Sequence, residues 1–421
     1  MFEGLSLDQA PPISVVLRFF LSVPVFGIFL SVLMMLYPTQ ILTVNHPLSL
    51  AAIHLLFLGV ITMSMIGALF QMQSVLGGRP IPAPLGNAFL IHILFSVGIF
   101  TLAGAFITQI APLFVLAATL LGSGIVYTVF LIIPLLFKSS LHDTLRGMRL
   151  ALISLFITAL LGIVMADAYA EGNFSTFHEA IRATHYSFAL IGWIGALIIA
   201  VAFQVVEMFY VATPYSDWCK HNVFRIIPAA LILKTLWLFL ALPYVWVFDL
   251  LLAALLMGFF TTTVRRLRER KRRVSDVSIW FWSIGMGLLF VSLIAYGGYL
   301  WNMEEVILQI AVIAYALFAL SIILGMMGKI VPFLVWFHLS SAGYMDAPIM
   351  SHVIPLKRSQ SLFGLFVLVC GTAVMSVLYP PLFILTGVFS FALFALLGYN
   401  LIQALKLYRY TLTHGTRFTL E

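Results

Sequence analysis

The sequence predicts an all-α integral membrane protein with twelve transmembrane helices. Of its 421 residues, 62% are hydrophobic and only 9% are charged, and the mean hydropathy is +1.11, well above the range of soluble domains. Apolar runs long enough to cross a hydrocarbon core of ~30 Å recur throughout. Only helices satisfy their own backbone hydrogen bonds in lipid at these lengths. With no linker or low-complexity segment between the runs, residues 1–421 are expected to form a single membrane domain.

Twelve apolar runs mark the predicted spans. They lie near residues 15–37, 49–72, 88–109, 112–137, 148–167, 184–211, 224–243, 245–263, 277–300, 306–335, 360–380 and 382–405. The first run has no basic segment before it and no small-residue cleavage site after it, so it is expected to remain as a span. Cys219 and Cys370 are far apart and in no motif, which predicts neither a disulfide framework nor a thiolate metal site.

Basic residues lie almost entirely on one side of the predicted bundle. Twenty of the 22 Lys and Arg residues fall in loops and helix ends on the side of the N-terminus, with the largest cluster at 265–273. The exceptions are Arg182, on the opposite side, and Lys234, inside a span. The positive-inside rule therefore places both termini in the cytoplasm. The net charge of +7 then reflects topology and contact with anionic lipid headgroups, and nucleic-acid binding is not expected.

Three stretches of the chain resemble one another. They are HLLFLGVITMSMIGALFQMQSVL from His54, HYSFALIGWIGALIIAVAFQVVEMF from His185 and ALFALSIILGMMGKIVPFL from Ala316. In register, Gln71 corresponds to Gln204, 133 residues later, and Lys329 takes the same place 125 residues further on. This periodicity predicts three four-helix units, near 15–137, 148–263 and 277–405. Because four is an even number, the three units are expected to be parallel in the membrane.

Two of these stretches carry a histidine at nearly the same place. Even-numbered spans run inward in the predicted topology, so His54 and His185 are expected in the first turns of spans two and six, near the outer surface. A bis-imidazole haem site needs two such ligands at one depth on separate helices. Taken singly, either histidine is more simply an interfacial residue. His46 and His178, eight and seven residues earlier, are candidate ligands of copper or another metal, or solvated loop residues.

Charged residues inside spans are costly in lipid and are therefore functional candidates. The predicted depths of Lys234 and Asp249 differ by roughly 8 Å at 1.5 Å per residue, so a direct pair requires an extended lysine side chain. The two residues form either a proton path facing a polar interior or a structural ion pair. Arg182 is a natural partner for a haem propionate, although a lipid or the carboxylate of Glu179 serves as well. Lys329 lies near the inner end of its span. Its side chain is most simply expected to extend to the membrane surface, which places the charge in water.

This pattern resembles subunit I of the haem-copper oxidases, which has twelve spans in three parallel groups of four. The second helix of that family begins with a haem-ligating histidine near the outer face, and His54 matches its place. The stretch HYSFALIGWIG from His185 resembles the ligand helix of the cytochrome-c-linked branch. The pattern is also similar to the NnrS family of haem- and copper-containing membrane proteins tied to nitric oxide stress.

The chain lacks histidines at the positions that correspond to the oxygen-reducing site of the oxidases. Its seventh span has no histidine pair, and its tenth has Ile310, Ala311 and Val312 where the repeat places a histidine. In the sixth span, Ser187 follows His185 where a second histidine would complete a pair. An oxygen-reducing terminal oxidase is therefore not expected.

The resemblance implies a membrane haem protein with haem b on His54 and His185, and copper as a further candidate cofactor. Its expected role is electron transfer or nitric-oxide-related chemistry in a bacterial cytoplasmic membrane, with a quinone or a cytochrome as electron partner. Without a Cys-x-x-Cys-His motif, covalent c-type attachment is excluded. A secondary transporter with buried charges is an alternative, although carriers usually show inverted repeats. A haem-binding stress-response or assembly factor without turnover is another.

The charge distribution yields a test of topology. In a background without native cysteines, Arg270→Cys should react with a membrane-impermeant maleimide only after the cells are permeabilised, because the basic loop is predicted to be cytoplasmic. Asn45→Cys, beside His46, should react in intact cells. Labelling of position 270 in intact cells would refute the predicted orientation.

Overall fold

The computed structural model describes residues 6–139, 143–271 and 276–417. Within these ranges the regular elements are helices, apart from one isolated bridge between Tyr344 and Arg417. Twelve of the described helices are long and apolar enough to cross a membrane. The predicted all-α membrane class and the number of spans are thus confirmed.

The spans are numbered in chain order. They are α1 Ile13–Leu36, α2 Pro47–Gly77, α3 Pro84–Thr108, α4 Ala111–Lys138, α5 Asp143–Glu171, α6 His178–Tyr210, α7 Asp217–Phe239, α8 Trp246–Arg268, α9 Val277–Asn302, α10 Glu305–Ser341, α11 Leu356–Leu378 and α12 Pro380–His414. The short helices Leu7–Gln9, Pro38–Leu42 and Met350–Val353 lie between or before them.

Several helices extend beyond the apolar runs that predict them. The apolar run of α6 begins at 184, but the helix begins at His178. The helix α2 begins at Pro47 with His46 as its N-cap. An apolar run stops at the first polar residues, whereas helical hydrogen bonding continues through them. The placement of His178 in a loop and of His54 and His185 in first turns was therefore wrong, because each helix starts earlier, whereas His46 lies just outside α2 as its N-cap.

The described residues divide into two compact units. The first consists of the described residues within Met1–Ala10, Phe70–Val274 and Met286–Tyr315. In this unit α4 contacts α3 and α5, α5 contacts α6, and α7 contacts α8. The second consists of the described residues within Pro11–Leu69, Ser275–Gly285 and Ala316–Glu421. Here α12 contacts α1 and α11, and α1 contacts the part of α2 that belongs to this unit.

Small residues mark the faces on which these helices meet. An ideal Cβ atom added to Gly59 in α2 would lie 2.6 Å from Cγ of Phe26 in α1. One added to Gly67, two turns further along α2, would lie 2.9 Å from Cβ of Phe19. In a membrane, lipid and protein core are both apolar, so helices associate through close packing of small residues against large ones.

The helices α2 and α6 each contain a π-helical segment at the same relative place. These segments are Leu55–Thr62 and Phe188–Gly195, each of eight residues. The α-helical parts that follow are Met63–Gly77 and Ala196–Tyr210, each of fifteen residues. All four boundaries are related by 133 positions, the offset that relates Gln71 to Gln204. Single π-helical segments inside α-helices occur frequently at functional sites.

The contact between α1 and α2 can be tested by substitution. Gly59→Ala should lower the thermal stability of the purified protein, because its methyl group would overlap the ring of Phe26. Overpacking of this kind typically costs ~1–3 kcal/mol. Gly371→Ala in α11 is the control, since an added Cβ there has no heavy atom within 4 Å. Equal melting temperatures for the two variants would contradict the described packing.

Candidate functional site

His185 lies in α6, three residues before the π-helical segment. Its half-buried ring donates from Nδ1 to the backbone carbonyl of Thr158 in α5, at 3.0 Å. Gly162, one turn further along α5, leaves space for the ring, because a Cβ there would lie 3.2 Å from Cε1 of His185. A neutral imidazole that donates from Nδ1 keeps its lone pair on Nε2, and such a bond is the usual way in which proteins orient a ligating histidine.

His54 has a similar arrangement in α2. It is the eighth residue of its helix, as His185 is of α6, and directly precedes the π-helical segment. Its half-buried ring donates from Nδ1 to the carbonyl of Leu50, 2.7 Å away on the same helix. The lone pair is again on Nε2. When neutral, both predicted haem ligands therefore carry the proton on Nδ1, an arrangement common among metal-ligating histidines.

The two histidines lie in different compact units. His54 belongs to the unit containing α1, and His185 to the unit containing α3 to α8. The structure thus describes the surroundings of each ring within its own unit. Joint ligation of one haem by His54 and His185 stays a prediction.

His46 and His178 occupy the starts of these two helices. Nδ1 of His46 accepts a hydrogen bond from the backbone N–H of Leu48 at 3.2 Å and so caps α2. In a neutral ring this leaves the proton on Nε2. The ring of His178 packs edge-on against Phe174, with 4.6 Å between centroids. A metal at His46 would therefore have to displace the helix cap or the Nε2 proton.

Among residues 6–139, 143–271 and 276–417, no group of three or more His, Cys, Asp or Glu side chains is arranged to hold a metal ion. Copper at His46 and His178 stays a prediction.

Arg182, the predicted partner of a propionate, lies one turn before His185. Its guanidinium donates to the carboxylate of Glu179 at 2.5 Å. The side chain of Glu179 is 74% exposed, so this pair is screened and weak. Glu179, which the sequence suggested as an alternative partner of Arg182, is therefore the partner observed. An anion that binds Arg182 more strongly can displace the Glu179 carboxylate.

Lys234 in α7 and Asp249 in α8 form a direct ion pair. Nζ of Lys234 lies 2.5 Å from Oδ1 of Asp249, and their side chains are only 5% and 13% exposed. The lysine also donates to Oγ of Ser187 in α6 at 3.0 Å. The lysine side chain thus bridges the difference in depth that the sequence implied, and it joins three helices of one unit.

Tyrosines complete this cluster, which we call the Lys234–Asp249 site. Nζ of Lys234 lies 5.6 Å from the ring centroid of Tyr186, and Tyr296 in α9 lies near enough to Asp249 to interact with it electrostatically. Sequence reasoning missed Ser187 and Tyr296 as members of the site. The sequence contained one signal for Ser187. The offset of 133 residues between the first two repeats aligns Ser187 with His54.

Charged residues at other helix ends are also paired. Lys329 forms an ion pair with Asp276 instead of only snorkelling to the interface. Burial raises the pKa of the Asp276 carboxyl, but hydrogen bonds from Lys329 and Ser278 outweigh burial and hold the pKa below its ordinary value. Asp276 is therefore ionised at neutral pH.

No family model matches the chain, and no curated protein matches it significantly. What the side chains of this site can do is therefore inferred from their geometry.

The Lys234–Asp249 pair makes a prediction about stability. Lys234→Met should lower the free energy of unfolding on the order of 3 kcal/mol, because it leaves the Asp249 carboxylate buried without its cation. The double variant Lys234→Met/Asp249→Asn should recover much of that loss. Glu269→Gln, which breaks an exposed pair with Arg265, should change stability by no more than ~1 kcal/mol.

Thermal denaturation of the purified variants in detergent measures these differences. A double variant no more stable than Lys234→Met would show that the two side chains do not compensate each other.

Proposed function

We propose that this chain is a membrane haem protein in which His54 and His185 ligate a b-type haem, serving electron transfer or nitric-oxide-related chemistry. One observation carries the proposal. Each histidine is the eighth residue of a spanning helix that continues into a π-helical segment, and each ring donates from Nδ1 to a backbone carbonyl. That bond orients the ring and leaves Nε2 as the ligand atom.

The residues present fit a haem by the chemistry of their donor atoms. Imidazole is a common axial ligand of haem iron. Arg182 would hold a propionate, exchanging its exposed partner Glu179 for that carboxylate. Bound in this way, a haem supplies a one-electron redox centre within the membrane. The carbonyls of Leu50 and Thr158 orient the two imidazoles.

The wider assignment is part of the same proposal. Identical lengths and spacing of the π-helical segments in α2 and α6 support an internal repeat, and the basic residues support cytoplasmic termini. We assign the chain to a divergent branch of the haem-copper oxidase superfamily similar to NnrS proteins, in a bacterial cytoplasmic membrane. Copper at His46 and His178 and a quinone or cytochrome partner belong to this proposal. Oxygen reduction does not, because the additional histidines are missing from the sequence.

The runner-up is a secondary transporter. The observation that favours it is the buried Lys234–Asp249 pair, because ionisable groups inside spans often lie on ion or substrate pathways. The π-helical segments next to the two histidines have no evident use in that reading. A haem-binding stress-response or assembly factor shares the site of the first proposal and differs in lacking turnover.

The visible spectrum of the purified, reduced protein separates these functions. His54→Ala and His185→Ala should each abolish the b-type haem spectrum or alter it strongly, because each would remove one of the two proposed iron ligands. His352→Ala is the control, since this residue lies in the short helix Met350–Val353 outside the proposed site. Normal haem content in the double histidine variant would refute the proposal.

Carbon monoxide distinguishes the possible roles of the haem. With His54 and His185 both serving as iron ligands, the gas would find no binding position, so the reduced spectrum should not change. A full carbon monoxide adduct with oxygen uptake from an artificial donor would contradict both the ligand assignment and the exclusion of oxygen reduction.

A further inference from the structure

A cavity lies between the start of α9 and the helices α10, α11 and α12, within the second compact unit. Its volume is about 40 Å³, roughly three times the space that one water molecule needs. The polar residues of its lining are Asp276, Ser278, Ser359 and Asn400. The cavity thus suits a polar group of about the size of a phosphate, and the proposed function gives it no role.

The cavity lies at the level where two of these spans begin. The helix α9 begins at Val277 and α11 at Leu356. Lys329 of α10 is at this level too, because it contacts Asp276 just before α9. Beyond Lys329 and Asn400, α10 and α12 continue for roughly 20 Å at 1.5 Å per residue. Since α9 and α11 are spans, their starts mark the boundary between hydrocarbon and lipid headgroups.

Arg358, in the first turn of α11, supplies a positive charge beside this cavity. Its Nη1 donates to Oδ1 of the cavity residue Asn400 at 3.3 Å, and its guanidinium carbon lies 5.5 Å from the ring centroid of Tyr399. Within residues 6–139, 143–271 and 276–417, no carboxylate forms a salt bridge with it. A guanidinium has five N–H donors in a fork that matches phosphate oxygens. Arg358 can therefore bind an anion without giving up an acidic partner.

Neutral donors surround the same position. Asn400 is only 2% exposed, and because Arg358 occupies its carbonyl oxygen, its amide N–H groups are left to donate to a ligand in the cavity. Ser359 adds a hydroxyl to the lining. The helix α11 begins after Pro355 without a side-chain cap, and the first backbone N–H groups of a helix favour an anion. The position thus offers one cation and several hydrogen-bond donors.

The one acidic group of the lining is already neutralised. Lys329 forms an ion pair with Asp276. Both the backbone N–H and the hydroxyl of Ser278 donate to the same carboxylate, at 3.0 and 2.9 Å. Asp276, Lys329 and Arg358 together carry one net positive charge, so the surroundings of the cavity attract an anion.

The remaining surroundings favour an anion that carries hydrocarbon chains. The other walls of the cavity are largely apolar and include Phe281, Leu324 and Leu397. Close to Arg358 in the chain or in space, Leu356 and Tyr399 are 56% and 51% exposed. Exposed apolar and aromatic side chains at the end of a span are typical of the membrane interface. A phospholipid brings both a phosphate for the donors and acyl chains for these surfaces.

We propose that this cavity binds the phosphate of an anionic phospholipid, with Arg358, Ser359 and Asn400 as its donors. Basic pockets between membrane-spanning helices on the cytoplasmic side bind anionic lipid headgroups, and the charge distribution predicts that the starts of α9 and α11 face the cytoplasm. The inference does not depend on the haem. A lipid bound here contacts several helices and stabilises the folded protein by mass action.

Thermal denaturation of the delipidated full chain in detergent, titrated with phosphatidylglycerol, tests the site. Phosphatidylglycerol should raise the melting temperature, whereas zwitterionic phosphatidylcholine at the same concentration should not. Arg358→Gln should weaken the apparent affinity for phosphatidylglycerol roughly tenfold, because it removes hydrogen bonding to a charged group. Arg409→Gln, which removes an exposed arginine further along α12, is the matched control and should keep the wild-type affinity.

Gly328→Val tests the cavity without changing any charge. Gly328 lines the cavity, and an ideal Cβ added to it has no heavy atom within 4 Å. A valine side chain can therefore enter the cavity and exclude the headgroup. Without lipid this variant should melt as the wild type does, and its affinity for phosphatidylglycerol should be lower.

Three results would overturn the inference. The first is an equal affinity of wild type and Arg358→Gln for phosphatidylglycerol, or an equal loss in Arg358→Gln and Arg409→Gln, which indicates general attraction between charges. The second is equal stabilisation by inorganic phosphate alone, which assigns the cavity to a soluble anion instead of a lipid. The third is an unchanged affinity in Gly328→Val, which decides the matter even where Arg358→Gln does not fold.

Discussion

The structure depends first on the need to hydrogen-bond every backbone group inside the membrane. Lipid offers no partner for an N–H or C=O group, so a spanning segment must satisfy its own backbone. The π-helical segments in α2 and α6 also obey this constraint. Their backbone hydrogen bonds join residues five apart instead of four, and the helix remains continuous. In α6 the hydroxyl of Tyr315 also donates to the carbonyl of Leu190 within the π-helical segment, at 2.5 Å.

The same constraint governs the polar side chains of the candidate site. A backbone carbonyl has two lone pairs, so a helical carbonyl can accept from a side chain without losing its place in the ladder. The ring of His185 uses the carbonyl of Thr158 on a neighbouring helix, whereas the ring of His54 uses Leu50 on its own helix. The orientation of His185 thus depends on how α5 packs against α6, and that of His54 on α2 alone.

A charged side chain that is buried also needs polar partners. In the first compact unit, neighbouring helices supply them. Lys234 alone would be costly in an apolar interior, but a carboxylate, a hydroxyl and an aromatic ring surround it. These partners come from α6 and α8, so the lysine links the helix that carries His185 to two others.

The sequence by itself determined the membrane class, the twelve spans and the candidate residues for a site. Span length and hydropathy are local properties, and rare polar residues stand out in apolar helices. Tertiary structure alone decided how the polar residues pair. Lys234 meets Asp249 and Ser187 because α6, α7 and α8 pack together. The helix starts at His178 and Pro47 and the π-helical segments were also beyond prediction, since hydrogen bonding through polar turns and between helices leaves no trace in hydropathy.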